Sequence, residues 1–316
     1  MKISLICTTL NEAKTIDNFI NSFLKQTKLP DELIICDGGS TDKTLSLLKN
    51  LKNQTKTKII ILQKRGNRSI GRNFAISNSK WEIILCTDLG CELDKNWVEE
   101  ITKPFSNNNI DVVAGYYKGL PKNNFEKCLV PYVLVMPDQV NPKEFLPATR
   151  SIAFKKIVWE KVGRFNERLS HNEDYVFARK LQQKNYNVVF NGKAIVYWKP
   201  RNNLKQAFIM FLRFAYGDAE ARILRPKVTL IFMRYILIIS LFILYISTKN
   251  NYLYPFLYLL LFIYIFWSIA KNYHYVKKWQ AFYLLPLIQF TADISVMLGT
   301  LMGFLNVRLR KNMIKV

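Results

Sequence analysis

The sequence predicts an α/β domain, a mostly parallel sheet flanked by helices, followed by membrane helices. Three observations carry that expectation. Short apolar runs alternate with helix-period segments through about residue 200 of the 316, the pattern of strand–helix–strand units with right-handed crossovers. Two of the runs end on a carboxylate, Asp37 and Asp88, at strand carboxyl ends, where open α/β sheets bind ligands. Beyond Arg225, Pro226 and Lys227 long apolar stretches dominate, so the expected domains are 1–226 and a membrane part at 227–316.

The elements follow in order. Residues 3–7 are an apolar run, and Ile16, Phe19, Ile20, Phe23 and Leu24 recur at helical spacing behind it. The second strand is 32–36. Gly38 and Gly39 then permit a tight turn, and Ser40 or Thr41 is placed to cap the helix marked by Leu45, Leu48 and Leu51. A strand at 58–62, a helix at 70–77, a strand at 81–87 and a helix at 96–105 continue the alternation. Residues 111–117 read as a further strand. Segment 118–147, rich in Pro and Asn, reads as irregular. Strand then helix at 151–162, a helix at 173–184 and a strand or hairpin at 188–198 complete the domain.

Three apolar segments come next, at about 228–247, 253–270 and 281–305. The first two are long enough to span a bilayer, and Tyr252, Tyr254, Trp267, Tyr273 and Trp279 form aromatic borders. Arg225 and Lys227 before the first, Lys271, Lys277 and Lys278 after the second, and Arg308, Arg310, Lys311 and Lys315 after the third are basic flanks; the loop at 249–251 is the least basic. The positive-inside bias puts that loop outside and the other flanks inside. A third full span would carry the basic tail outside, against that bias. Pro286, Asp293, Gly299 and Gly303 make a re-entrant or interfacial third segment the preferred expectation, with spanning the alternative.

The formal net charge is +23, which calls for an anionic partner: nucleic acid, an anionic membrane surface or a phosphorylated substrate. No zinc-finger spacing or RNA-binding signature is present, so nucleic acid is not expected. Five cysteines with no CxxC pair fit a reduced, cytosolic domain. The opening apolar run is too short for a signal-peptide core.

Five motifs recur along the chain: Thr8, Thr9, Leu10, Asn11 and Glu12 together with 37–44; Arg68, Gly71, Arg72 and Asn73; Thr87, Asp88, Gly90 and Cys91; Arg150, Ser151, Ala153 and Phe154; and Asn172, Glu173 and Asp174. In this order they resemble family 2 glycosyltransferases, inverting enzymes with the GT-A fold of nucleotide-diphospho-sugar transferases, over roughly the first 220 residues. The resemblance implies a base-binding carboxylate at Asp37, with Thr8, Asn11 and Glu12 lining the nucleoside pocket. It implies that Arg68 and Arg72 pair with the diphosphate or the base region, that Arg150 belongs to the acceptor side, and that Asp174, beside Glu173, is the general base. Asp88 matches the first acid of the family's metal motif, while Gly90 replaces the second. A divalent metal, Mg²⁺ or Mn²⁺, held through Asp88 is therefore expected to bind weakly, the alternative being an Asp88 that holds ribose or sugar without metal. The processive-synthase signature Gln-x-x-Arg-Trp is absent, which favours addition of one sugar.

The resulting expectation is a membrane-anchored, non-processive transferase at the cytoplasmic membrane. Its donor is a UDP- or GDP-linked sugar and its acceptor a lipid or lipid-linked glycan. The alternatives are transfer to a polyprenyl phosphate, or a degenerate domain that serves only as a membrane scaffold.

Overall fold

The computed structural model describes residues 1–51, 54–250 and 252–313, with side chains through 306. Its first elements are β1 (Ile3–Thr9), α1 (Ile16–Leu24), β2 (Glu32–Asp37), α2 (Thr44–Leu51), β3 (Lys58–Gln63), α3 (Arg68–Ser77) and β4 (Ile83–Asp88). These four strands lie side by side in parallel, ordered β3-β2-β1-β4. Every residue of β2 is buried, as a strand covered on both faces requires, which is why it reads as an unbroken apolar run.

β5 (Cys91–Leu93), α4 (Trp97–Thr102), β6 (Val112–Gly119), β7 (Ile152–Lys155), α6 (Lys156–Val162), α7 (Glu173–Gln183) and β8 (Val188–Trp198) complete the first compact unit, residues 1–120 and 134–199; the helix between β6 and β7, α5 (Asn124–Val133), belongs to the second. β7 runs antiparallel to both β4 and β6, β8 parallel to β6, and β5 antiparallel to β8, closing an eight-stranded mixed sheet. The register of β6 against β8 slips between Gly115 and Tyr116. There a Cβ on residue 115 would collide with Ser151 Oγ and the Ala194 carbonyl, so only glycine fits. Ser151 is part of this joint: it accepts from Trp97 Nε1 at 2.8 Å and donates to the Ala194 carbonyl at 3.1 Å. Ile34, Ile84, Phe154, Trp159, Phe165 and Phe177 sit in one core cluster beneath the sheet.

The second unit holds 121–133 and the chain from Pro200 onward, with α5 (Asn124–Val133), α8 (Leu204–Glu220), α9 (Pro226–Thr248), α10 (Leu253–Val276) and α11 (Ala281–Met313). The boundary expected at 226 thus falls inside this unit. α9, α10 and the stretch Ala281–Asn306 are each long and apolar enough to cross a membrane. The third apolar segment is one unbroken helix with Pro286 inside it, not a broken hairpin. Its glycines admit the α8 backbone: a Cβ at Gly303 would lie 2.7 Å from the Tyr216 carbonyl oxygen, and one at Gly299 would run into that of Leu212. The side chains of Arg308, Arg310 and Lys311, and all of Lys315 and Asn251, lie outside the described residues.

Three further departures from the sequence reading concern local structure. Segment 118–147 contains α5 despite Pro131. α8 is a full helix at 204–220. The cap of α2 is neither Ser40 nor Thr41: Asp42 Oδ1 accepts from Thr44 N at 3.0 Å, because Ser40 is drawn away to Asp37 and Asn11.

Candidate active site

The strand register brings the first group of expected residues to one edge. Thr8 lies opposite Asp88 across β1–β4, and Thr9 opposite Asp37 across β1–β2. Asp37 is fully buried. Its Oδ2 accepts from the backbone N–H groups of Gly39 at 3.0 Å and Ser40 at 2.9 Å, and its Oδ1 from Ser40 Oγ. Gly39 takes φ +104°, a conformation that only glycine adopts without strain. Asn11, at φ 55°, ties the two loops together. Its Oδ1 accepts from Thr41 N at 2.8 Å, and its own N–H donates to Ser40 Oγ at 2.9 Å. Glu12 N–H donates to Thr44 Oγ1 at 2.9 Å, and the Glu12 carboxylate accepts from Thr15 Oγ1 at 2.5 Å. The Thr9 hydroxyl is buried and has no hydrogen-bond partner among the described residues.

The second group is organised by Arg72. Gly71 lets α3 close on β1, since a Cβ there would stand 3.0 Å from Thr8 Cγ2. That approach carries Arg72 into the interior, where 1% of its side chain is exposed. One amino group donates to Asp88 Oδ1 at 2.9 Å and the other pairs with Glu173 Oε1; Nε has no partner among the described residues. Arg72, expected to grip a diphosphate or base, is instead committed to these two carboxylates. Burial opposes its charge, but Glu173 and Asp88 outweigh burial and raise its pKa. Arg68, one turn earlier, is exposed and free to face an anion. Asn73 is structural: it donates to the Phe165 carbonyl at 2.8 Å and accepts from Trp159 Nε1 at 3.1 Å.

The two acids of this group are driven apart. Burial pushes the Asp88 carboxyl upward, but Arg72, Arg68 and Arg150 prevail and hold it below the ordinary carboxylate range. Asp174, half-buried in the first turn of α7, is pushed up by burial and by the adjacent Glu173 charge, against the pull of Arg72 and Arg150. Arg72 thus stands between one acid held as an anion and another that takes up a proton more readily. The αL conformation of Asn172, at φ 57°, starts α7 and sets the direction of both acids.

Arg150 stands between two aromatic rings, its guanidinium 5.7 Å from the centroid of Tyr117 and 5.2 Å from that of Trp198. Burial raises the Tyr117 pKa, with Arg150 and Asp174 both within electrostatic reach of its hydroxyl. The sequence reading had Arg150 but missed Tyr117, whose only signal is its place near the end of β6. Cys7, Cys36, Cys86 and Cys91 are buried under this edge as free thiols. Burial pushes Cys36 up to about 11 and Cys86 and Cys91 to about 12, so they pack as neutral side chains.

The donor set bears on the expected divalent cation. Among the described residues no three Asp, Glu, His or Cys side chains converge to hold a metal. Asp88 has one oxygen bound to Arg72. At Gly90, where a second acid is missing, an added Cβ would meet both Glu12 carboxylate oxygens at 3.7 Å. Asp88 Oδ2 and Glu12 therefore fit Mg²⁺ or Mn²⁺ only as a partial shell, which phosphate and water oxygens would have to complete.

Comparison with known proteins agrees with this architecture. The model of "Glycosyl transferase family 2" matches residues 4–131, and that of "Glycosyl transferase family group 2" matches 134–294. The O-antigen chain rhamnosyltransferase RfbN of Salmonella typhimurium is 27% identical over 66% of this chain and 71% of its own length. The poly(ribitol-phosphate) β-N-acetylglucosaminyltransferase TarP of Staphylococcus aureus is 30% identical over 59% of this chain and 60% of its own. The cholesterol galactosyltransferase of Borreliella burgdorferi is 28% identical over 62% of this chain; the match spans 54% of that relative. Among solved structures, the mannosyltransferase PcManGT of Pyrobaculum calidifontis, in complex with GDP-Man and Mn²⁺, superposes with TM-score 0.61 at 15% identity over 96% of this chain and 86% of its own. S. aureus TarS 1–349 in complex with UDP-GlcNAc does so with TM-score 0.51 at 20% identity over 67% and 66%; these likenesses establish the GT-A fold. With the two family models matched in succession over nearly all of the chain, the protein belongs to glycosyl transferase family 2 and is a glycosyltransferase.

Proposed function

We propose that this chain transfers one sugar, with inversion, from a UDP- or GDP-linked donor to a hydroxyl group of a lipid or lipid-linked glycan at a membrane. The observation that carries the reading is Asp174: a half-buried carboxylate with a raised pKa, next to a Glu173–Arg72–Asp88 chain that leads to the strand edge. The nucleoside lies against Thr8, Asn11, Glu12 and Asp37, and the acceptor lies toward Tyr117, Arg150 and Trp198. Asp174 takes the acceptor O–H proton. The freed oxygen attacks the anomeric carbon from the side opposite the diphosphate, and the departing phosphate oxygen keeps the electron pair of the broken bond. Arg68 offsets the charge gathering on the leaving group. A bound Mg²⁺ or Mn²⁺, held partly by Asp88 and Glu12, would supply further neutralisation there. The membrane setting is supported by the three long apolar helices. Three relatives are named for transfer to O-antigen, poly(ribitol phosphate) and cholesterol, which supports an envelope acceptor of this class.

The test is donor-dependent nucleotide release by the purified full chain in detergent, alongside calorimetry with UDP and GDP. Asp174→Asn is expected to lower transfer to a hydroxyl acceptor by about 10²–10⁴ with nucleotide affinity nearly unchanged. Near-normal turnover with a hydroxyl acceptor would remove Asp174 from the role. Near-normal turnover with a phosphate acceptor alone would favour the polyprenyl-phosphate reading, in which no strong base is needed.

A further inference from the structure

Charged side chains gather within the apolar helices, where hydrocarbon offers them nothing. Arg234 of α9 pairs with Asp293 of α11 at 2.7 Å. The Asp293 carboxylate also accepts from Gln289 Nε2 at 3.0 Å, Tyr235 OH at 3.3 Å and Tyr264 OH. That knot is neutral and nearly satisfied. It joins all three helices, which gives it a structural purpose of its own. What it leaves over is cationic. Arg234 Nε is buried without an acceptor among the described residues. Lys271 of α10 has no carboxylate within ion-pair distance among the described residues; its ammonium rests 5.0 Å from the ring centre of Trp267 and 5.4 Å from that of Tyr132. Lys227 lies within electrostatic reach of Lys271 and adds a further positive charge. Arg234 faces the same Trp267 ring, its guanidinium 5.8 Å from the ring centre, so Arg234 and Lys271 share one aromatic wall.

Ionisable groups at membrane depth are costly and are kept where they bind something. The depth says what. Lys271 is roughly 7 Å along the axis from the end of α10 at Val276, at the level where aromatic belts and lipid headgroups meet. The anion found there is phosphate.

We infer that Lys271, with Lys227 and the free Nε–H of Arg234, forms a binding site for the phosphate of a membrane lipid, walled by Trp267 and Tyr132. The site rests on the second unit lying in a bilayer. It does not depend on which acceptor the transferase uses, since either a polyprenyl monophosphate or an anionic phospholipid presents the same group.

The experiment follows the thermal unfolding of the full chain in phosphatidylcholine nanodiscs doped with polyprenyl monophosphate, phosphatidylglycerol or phosphate-free polyprenol, with inorganic phosphate as a fourth arm. The two phosphate lipids are expected to stabilise the wild type. Lys271→Gln is expected to weaken that binding about fivefold, and Lys271→Arg to retain it. Arg234 is left intact because its loss would strand Asp293. Preference for the monophosphate would identify a phosphomonoester lipid and equal binding a bulk anionic one; both sustain the site. Equal binding by wild type and Lys271→Gln, or equal stabilisation by polyprenol or inorganic phosphate, overturns it. A chain that stays dispersed without detergent or lipid would remove the membrane reading, and this site with it.

Discussion

Arg72 is the residue on which the arrangement of acids depends. Its side chain is interior, and both of its amino groups are committed to carboxylates from other elements. Arg72→Met would leave Glu173, 5% exposed, without a cation. Breaking a buried pair from one side costs about 3–5 kcal/mol, so a clearly lower melting temperature is expected for the full chain in detergent. Adding Glu173→Gln should restore much of the loss, which distinguishes a stranded charge from lost packing. In the role proposed for it, Asp174 supplies the pH dependence. A base works when deprotonated, and this one has its pKa raised by burial and by Glu173. Transfer should therefore fall as pH drops through a value above the ordinary carboxylate range. A pH–rate profile of wild type should show that acidic limb, and Asp174→Asn should lack it. Asp37 and Asp88 were legible in the sequence because motif and strand-end placement agreed, whereas Glu173 and Asp174 rested on their motif alone. The burial of Arg72 was not, since neither burial nor competing partners are encoded in a four-residue motif.

Among the elements, the parallel strands were the most legible. A strand covered on both faces is an uninterrupted apolar run, as in β2. β5, with three residues, is too short to have a period. α8 was missed for a different reason. Its buried positions include Ala207, Ala215, Gly217 and Ala219, small side chains that make a smooth face rather than an apolar stripe. Gly299 and Gly303 of α11, read from sequence as signs of an irregular segment, are where that face comes closest. Gly303→Leu would force a side chain into the Tyr216 carbonyl and Ala219 Cβ, each 2.7 Å from the added Cβ. Overpacking of this kind costs about 1–3 kcal/mol. Limited proteolysis should show faster cleavage around 200–225 in the variant, while a leucine at Leu298, already exposed, marks the neighbouring face as tolerant.

At the scale of the molecule, composition and hydropathy separated a mixed α/β part from an apolar one, and the comparisons bear out the fold and the family. Composition could not place the division, because 121–133 and α8 join the apolar helices through packing alone. The course of α11 bears on topology. Its later half is applied to α8, which carries Lys205, Arg213, Asp218 and Glu220 and is ill suited to hydrocarbon. We therefore expect α11 to run along the interface, with the basic tail on the same side as the start of α9. The five native cysteines are buried, so Lys315→Cys should give a clean signal with an impermeant thiol reagent in intact cells. Protection until the cells are opened is the expected outcome, and labelling from outside would establish three full crossings.

The Asn11 clasp has a consequence for how such an enzyme changes its donor. Because Asn11 N–H donates to Ser40 Oγ and Asn11 Oδ1 accepts from Thr41 N, each of the two loops is held in part by the other. Single replacements at either end forfeit the partner's geometry along with their own, and energies at touching sites do not add. Drift toward a new nucleotide sugar would then pass through damaged intermediates unless both loops changed together. In the proposed nucleoside pocket the two loops form a matched pair, and exchange of the segment spanning both is expected to change specificity more readily than point substitution.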